Sequence, residues 1–209
     1  MGVRNQVFRN PNEDYYKESD VQSHRKIYHC GKMMKPYIRG YTIDIGCGNG
    51  FVTDYLTADL NPNQVLCVDI VDRYEKELKL KGYNFMKMDL DNLPYDLPDN
   101  AFDTIILSDV LEHLMCPFGT LSEIYRILKH GGHLILTTPD CDRETPSIPH
   151  INYFSQRAIQ LNLERVGFLR QNIKRVYNGV ISPRITAITS KIPIIRSFLS
   201  NGCYYICKK

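Results

Sequence analysis

Short apolar runs alternate with longer amphipathic stretches along residues 41–178 of the chain. The runs are rich in β-branched and aromatic residues and are bounded by glycine, proline or acidic residues, which is typical of strands. Seven strands are predicted, at residues 41–45, 65–70, 83–88, 102–108, 133–138, 168–177 and 203–209. Because most of these runs are almost continuously apolar, we expect both faces of the sheet to be covered.

Helices are predicted between the strands, at residues 20–35, 51–60, 73–81, 110–129 and 155–166. The fourth is interrupted at Cys116-Pro117 and is expected to close at Gly131-Gly132, because glycine commonly ends helices. Ser155 is the expected N-terminal cap of the fifth. Strands that alternate with helices predict an α/β fold with a parallel sheet.

The 209 residues are expected to form one domain, since no repeat or linker interrupts them. It would consist of an N-terminal arm and helix (1–37), a core (38–178), an insert (179–201) and a final strand (202–209). The insert is strongly apolar at residues 192–199. A substrate lid, a dimer contact and an extra packed helix all remain open as its role.

Composition narrows the class of protein. The formal charge is +3 and the basic residues are scattered, so no nucleic-acid partner is expected. Seven cysteines form an odd set without a CxxC pair, which predicts a reduced, cytoplasmic protein without a disulfide framework or zinc site. The sequence has neither an apolar N-terminal leader nor an apolar run of about 20 residues, so no transmembrane segment is expected.

The most informative stretch is residues 43–50, IDIGCGNG, where a strand runs into three glycines at alternate positions. Glycine permits unusual backbone angles and lets a ligand approach the main chain. The GxGxG spacing differs from the GxGxxG of dinucleotide sites, and no Lys-Ser/Thr follows as in a P-loop. Asp44 would repel a pyrophosphate and attract an ammonium group, so the pattern favours a nucleoside that carries a cationic amino acid.

Acidic residues also stand at the predicted ends of later strands: Asp69, Asp89 and Asp109 end strands two, three and four. The carboxyl ends of parallel strands line one crevice, so we expect these side chains to share a site. Asp69 has two oxygens that could accept both hydroxyls of a ribose, and Asp89 could meet an adenine amino group.

With these motifs the sequence resembles the class I S-adenosylmethionine-dependent methyltransferases of the small-molecule type. The resemblance covers about residues 38–178 and rests on IDIGCGNG (43–50), VDI (68–70), MDLDNLP (88–94), FDTIILSDVLEHL (102–114) and LKHGGHLILTTP (128–139). It implies a Rossmann-like, doubly wound sheet of seven strands with the last one antiparallel. It also implies that the glycine loop holds the methionyl part of the cofactor, Asp69 the ribose and Asp89 the adenine. The residues expected to bind the cofactor are Asp44, Gly46, Cys47, Gly48, Gly50, Asp69, Ile70, Asp89, Leu90 and Ser108.

Methyl transfer to oxygen or nitrogen also needs a base in many cases, and Asp109, His113 and His150 are the predicted catalytic residues. Asp109, Glu112 and His113 would share a helix face at the mouth of the crevice, and His150 would lie in the loop after strand five. The array also resembles a metal half-site of some relatives, but Asp109 is shorter than the glutamate usual there. No metal ligand is therefore assigned from the sequence.

The expected function is transfer of a methyl group from S-adenosylmethionine to O or N of a small molecule or of a saccharide or lipid precursor. A catalytically inactive cofactor-binding accessory protein of the same fold is the alternative, and a dinucleotide-dependent oxidoreductase fits less well because of Asp44 and the glycine spacing. A homodimer remains open.

Overall fold

The computed structural model describes residues 30–141, 150–176 and 202–209. The predicted N-terminal arm, most of the helix predicted at 20–35 and the insert at 179–201 lie outside these residues. The strands are β1 (Thr42–Ile45), β2 (Val65–Asp69), β3 (Asn84–Lys87), β4 (Phe102–Ser108), β5 (Leu128–Pro139), β6 (Ile173–Arg175) and β7 (Gly202–Lys208).

The seven strands form one sheet in the order β3-β2-β1-β4-β5-β7-β6. The neighbouring strands β3, β2, β1, β4 and β5 are all paired in parallel, whereas β7 runs antiparallel to both β5 and β6. The predicted fold class and the antiparallel final strand are confirmed. In the register of β1, Asp44 lies beside Cys67 of β2 and Ile106 of β4. The strand order reverses at β1, which is where open α/β sheets form their ligand crevice.

Five helices accompany these strands in the described residues: α1 (Lys32–Met34), α2 (Phe51–Leu56), α3 (Glu75–Leu80), α4 (Pro117–Ile127) and α5 (Gln156–Val166). Ser155 caps α5 as predicted, because its side chain accepts a hydrogen bond from the Ala158 N–H. Pro117 begins α4, at a position where the missing N–H costs nothing. Short 3₁₀ turns follow α1 at Lys35–Tyr37 and precede β2 at Pro62–Gln64.

Helices cover both faces of the sheet, as the continuous apolar strands predict. Ile105 and Leu107 of β4 pack in one cluster with Leu121 of α4, whereas Ile106 between them packs on the other face with Leu56 of α2. All three β4 side chains are fully buried. Successive residues of a strand point to opposite faces, so an uninterrupted apolar run within a strand requires two covering layers.

The prediction that Gly131-Gly132 close a helix is wrong. Helix α4 ends at Ile127, and Leu128 already begins β5, so both glycines lie inside a strand. The Gly131 N–H donates to the carbonyl oxygen of Lys209, at the end of the chain. A Cβ at Gly132 would lie 2.9 Å from the Asp103 carbonyl oxygen. Gly132 therefore serves close strand approach, and Gly131 adopts a left-handed φ of 78° inside the strand.

The sixth strand is also shorter than predicted. Residues Arg170–Asn172 form a 3₁₀ turn, and only Ile173–Arg175 pair with β7. Phe168 is buried against the sheet without belonging to a strand, which explains why an apolar pattern alone predicted a longer one. Among the described helices, none combines the length and the apolarity that crossing a membrane would require.

Candidate active site

The loop from β1 to α2 is built on three glycines in left-handed backbone conformations. Gly46, Gly48 and Gly50 have φ angles of 76°, 54° and 81°. The N–H groups of Gly46 and Cys47 both donate to the Val68 carbonyl oxygen, at 2.7 and 3.0 Å. This pair of hydrogen bonds fastens the loop to the end of β2. The turn predicted from the GxGxG spacing is thus a fixed structure.

The three glycines differ in what surrounds them. A Cβ at Gly46 would collide with Val110 Cγ2, and one at Gly50 would lie 2.5 Å from Leu78 Cδ2. A Cβ at Gly48 would meet no atom within 4 Å. Gly46 and Gly50 are therefore required by packing within the protein. Gly48 borders open space, where a ligand can approach the main chain.

Asp69 lies at the end of β2 and supports the same loop. Its Oδ2 accepts a hydrogen bond of 2.8 Å from the Gly48 N–H, and its Oδ1 accepts one of 2.9 Å from the Val71 N–H. Burial raises the pKa of this carboxyl. Each carboxylate oxygen can accept more than one hydrogen bond, so these contacts leave room for ribose hydroxyls.

Asp44 is more deeply placed than a ligand-facing acid at a strand end would be. It is 1% exposed, and its Oδ2 accepts a hydrogen bond of 2.6 Å from the Thr53 hydroxyl of α2. Burial, with a smaller contribution from the charge of Asp69, raises the pKa of Asp44 to about 7. Asp44 therefore links β1 to α2 through its hydrogen bond with Thr53.

A stability difference should follow from this pKa. Asp44 ionises near 3.8 when unfolded and near 7 when folded, so the folded state binds the proton more tightly. The contribution of Asp44 to the free energy of unfolding is greatest below pH 4, declines as the pH rises towards 7, and is constant above that. We expect Asp44→Asn to remove this decline in urea unfolding measured from pH 4 to pH 8. An unchanged difference between wild type and variant across that range would contradict the assignment.

The third and fourth strands bring Asp89, Leu90 and Ser108 to the same edge. Asp89 lies two residues beyond β3, and its Oδ1 accepts a hydrogen bond from the Asp91 N–H at 3.1 Å. Leu90 is buried, and its carbonyl oxygen accepts a hydrogen bond from the Tyr95 hydroxyl. Ser108 ends β4, with its hydroxyl 2.9 Å from that of Thr137.

The segment after β4 departs from the predicted helix. Asp109 has a φ of 55°, and Leu111–His113 form a 3₁₀ turn, so no α-helix begins before Pro117. The expectation that Asp109, Glu112 and His113 share a helix face is therefore wrong. The Asp109 N–H donates to the Thr137 carbonyl oxygen, and its Oδ1 accepts from the Thr137 hydroxyl at 3.2 Å. These contacts with β5 hold the left-handed residue and turn the chain sharply.

That turn brings His113 against His150. The two ring centroids are 5.0 Å apart with the ring planes at 69°, and His150 in turn lies 6.3 Å from the ring of Tyr153. Glu112, beside His113, is almost fully buried. The predicted catalytic histidines thus lie together, whereas Asp109 belongs to the hydrogen-bonded group around Thr137.

A family of methyltransferase domains matches residues 43–136, from β1 into β5. The structure is similar over 99% of its length to a methyltransferase from Thermotoga maritima described as a possible histamine N-methyltransferase, with a TM-score of 0.68, 19% identity and 99% of that chain covered. Residues 43–136 therefore match a methyltransferase domain, and S-adenosylmethionine-dependent methyltransferases share its fold. Its cofactor is S-adenosylmethionine, and the open space at Gly48 beside the Asp69 carboxylate suits a nucleoside with an amino-acid tail.

Two curated relatives resemble this methyltransferase domain in sequence. A phthiotriol/phenolphthiotriol dimycocerosates methyltransferase of Mycobacterium leprae is 29% identical over 118 residues, which are 54% of this chain and 43% of that protein. A demethylmenaquinone methyltransferase of Bacteroides fragilis is 30% identical over 118 residues, 51% of this chain and 47% of that protein. The matched part of the chain thus spans less than half the length of either relative.

Several residues of the candidate site were missed by sequence reasoning. Thr53 holds Asp44, Thr137 joins Ser108 to Asp109, and Thr138 donates to Glu112. Asn152 also belongs here, because its side chain donates to the carbonyl oxygens of the turn that carries His113. The pair of threonines at the carboxyl end of a strand was the available signal, since hydroxyls there face the crevice.

Proposed function

We propose that the protein transfers the methyl group of S-adenosylmethionine to an oxygen or nitrogen of a small molecule or of a saccharide or lipid precursor. The observation that carries this proposal is the Asp69 carboxylate hydrogen-bonded to the N–H of Gly48, at a glycine that borders open space. The names of the two curated relatives support methyl transfer. Because the chain matches less than half of each, they do not assign their acceptors to it.

In the proposed reaction the acceptor atom forms a bond to the methyl carbon while the carbon–sulfur bond breaks, and the sulfur keeps that electron pair. The protein has to align the two reactants and exclude water, because the sulfonium already activates the methyl group. An acceptor O–H or N–H releases its proton to a base. Asp109, His113 and His150 are the proposed bases, and histidine is suited to this role near neutral pH.

The surroundings of the histidines favour an acceptor with an apolar part. Met115, Phe118 and Tyr153 are 66%, 45% and 48% exposed, although large hydrophobic side chains are usually buried. They follow His113 and His150 closely in the chain. Such side chains could contact a lipid-like or aromatic portion while the polar groups address the reacting atom.

The other proposed properties rest on the sequence. The cytoplasm is the proposed compartment, because the odd set of cysteines without a CxxC pair is typical of reduced proteins. One domain over the whole chain remains the proposed organisation. A homodimer through the apolar insert stays a prediction, since that segment lies outside the described residues.

Calorimetric titration should separate the function from its competitors. S-adenosylmethionine is expected to bind with one site per chain, and NAD is expected not to bind, because the GxGxG loop lacks the glycine spacing of dinucleotide sites. Absence of heat with millimolar S-adenosylmethionine would contradict the proposal, and binding of NAD alone would favour an oxidoreductase. Cofactor binding without methylation of any acceptor in a broad panel would favour the inactive accessory protein.

A further inference from the structure

Three potential metal ligands converge at the mouth of the crevice. One ligand atom each from Glu112, His113 and His150 can be chosen so that all three lie within 4.8 Å of one another. His113 and His150 are 37 positions apart in the chain, so the fold rather than local sequence makes this cluster. Two imidazoles and a carboxylate form a donor set that transition metals favour.

Backbone hydrogen bonds hold the two ligand-bearing segments together. The Glu112 carbonyl oxygen accepts hydrogen bonds from the N–H groups of Ile151 and Asn152, at 2.9 and 3.0 Å. The Asn152 side chain donates to the carbonyl oxygens of Leu111 and Leu114, at 3.3 and 2.5 Å. Four hydrogen bonds therefore fix the position of the residues next to His150 relative to the turn that carries Glu112 and His113.

The carboxylate is also oriented by a neighbouring strand. Glu112 is 1% exposed, and its Oε2 accepts a hydrogen bond of 3.0 Å from the Thr138 hydroxyl at the end of β5. Metal-binding carboxylates commonly have such an outer partner, which fixes the direction of the remaining oxygen. A buried carboxylate is furthermore stabilised by a nearby cation.

We propose that Glu112, His113 and His150 bind one divalent transition-metal ion of the zinc type. Zinc lies about 2.0–2.2 Å from nitrogen and oxygen ligands, so ligands around one ion are roughly 3.4 Å apart. Closing from 4.8 Å requires shifts of about 1 Å, within reach of small rotations of the side chains. Two imidazole nitrogens disfavour Mg²⁺ and Ca²⁺, which prefer oxygen ligands throughout.

Three protein ligands leave at least one coordination position for another molecule. If the proposed methyltransferase function holds, this position would take the acceptor oxygen or nitrogen and lower the pKa of its proton. Asp109, which is not one of the three ligands, would then remain as the proposed base. This role rests on the proposed function, whereas binding of the ion does not.

The test uses the full chain without an affinity tag, treated with chelator and then titrated with Zn²⁺ by calorimetry and with Co²⁺ by visible absorption. We expect one high-affinity ion per chain, and Co²⁺ bands that indicate nitrogen and oxygen ligands. His113→Ala and His150→Ala should each weaken binding at least 100-fold. The matched control is His130→Ala, which removes an exposed histidine from the same chain and should leave binding unchanged.

Melting temperature and S-adenosylmethionine affinity, both measured without metal, show whether each variant is folded. Ions that bind wild type and both histidine variants equally would overturn the proposal and assign binding to other groups, such as the cysteine thiols. The proposal would also be overturned if wild type bound no ion when one equivalent of Zn²⁺ or Co²⁺ per chain had been added. If wild type does not bind S-adenosylmethionine, the proposed function is contradicted but the metal result still stands. The two failures are therefore distinguishable.

Discussion

Replacing Asp69 by alanine is expected to lower the affinity for S-adenosylmethionine by about 100-fold or more. If the carboxylate accepts hydrogen bonds from both ribose hydroxyls, each bond to a charged group contributes about 1.5–3 kcal/mol. Two such bonds correspond to about 3 kcal/mol or more, and 1.4 kcal/mol is a factor of ten. The substitution also removes the acceptor that holds the Gly48 N–H, so the loop beside the cofactor would be less ordered.

Calorimetric titration of wild type and variant measures this difference, and Asp72→Ala is the matched control. Asp72 lies three residues further along the chain, is exposed, and forms an ion pair of 2.7 Å with Lys87. Removing it should leave cofactor affinity within about threefold, since exposed ion pairs contribute little. An Asp69→Ala protein that binds as tightly as wild type would remove Asp69 from the ribose site.

The strands and the glycine loop were predictable because their signals are local. Adjacent residues such as Ile105 and Ile106 of β4 are apolar and point to opposite faces of the sheet, which requires burial on both sides. Gly46, Gly48 and Gly50 have positive φ angles, and glycine is the one residue type that adopts such angles freely. The acidic residues on successive strands needed only the rule that parallel strands end at the same edge.

The turn after β4 was not predictable, because tertiary contacts decide it. Periodicity favours a helix through Glu112 and His113, yet hydrogen bonds between Asp109 and Thr137 of β5 hold Asp109 in a left-handed conformation. Aspartate adopts this conformation more readily than most residues, but the sequence alone does not show where. For the same reason, the contact between His113 and His150 depends on strand β5 and on Asn152.

Glycines at 131 and 132 show the opposite error, in which a correct local rule is applied to the wrong element. Glycine after a helical pattern normally marks the helix end. Here the chain enters β5 directly at Leu128, and Gly132 allows close approach of the Asp103 backbone. Gly131 does adopt a left-handed φ of 78°, but it does so inside a strand.

Gly48→Ala should weaken S-adenosylmethionine binding by about tenfold or more, although it leaves the fold intact. The new methyl group meets no protein atom within 4 Å, so it occupies only the space in which the cofactor is proposed to lie. Inserting a methyl group into a filled site costs about 1–3 kcal/mol. The backbone cost is separate: alanine at a φ of 54° destabilises the folded state by about 1–2 kcal/mol.

Gly131→Ala isolates that backbone cost, because Gly131 has a φ of 78° and its Cβ would also meet nothing within 4 Å. Urea unfolding should give similar losses of stability for the two variants. Calorimetry should then show weaker cofactor binding for Gly48→Ala and wild-type binding for Gly131→Ala. Equal affinities in both variants would mean that the cofactor does not approach Gly48. Weaker binding in both would mean that general destabilisation, rather than the lost space, limits affinity.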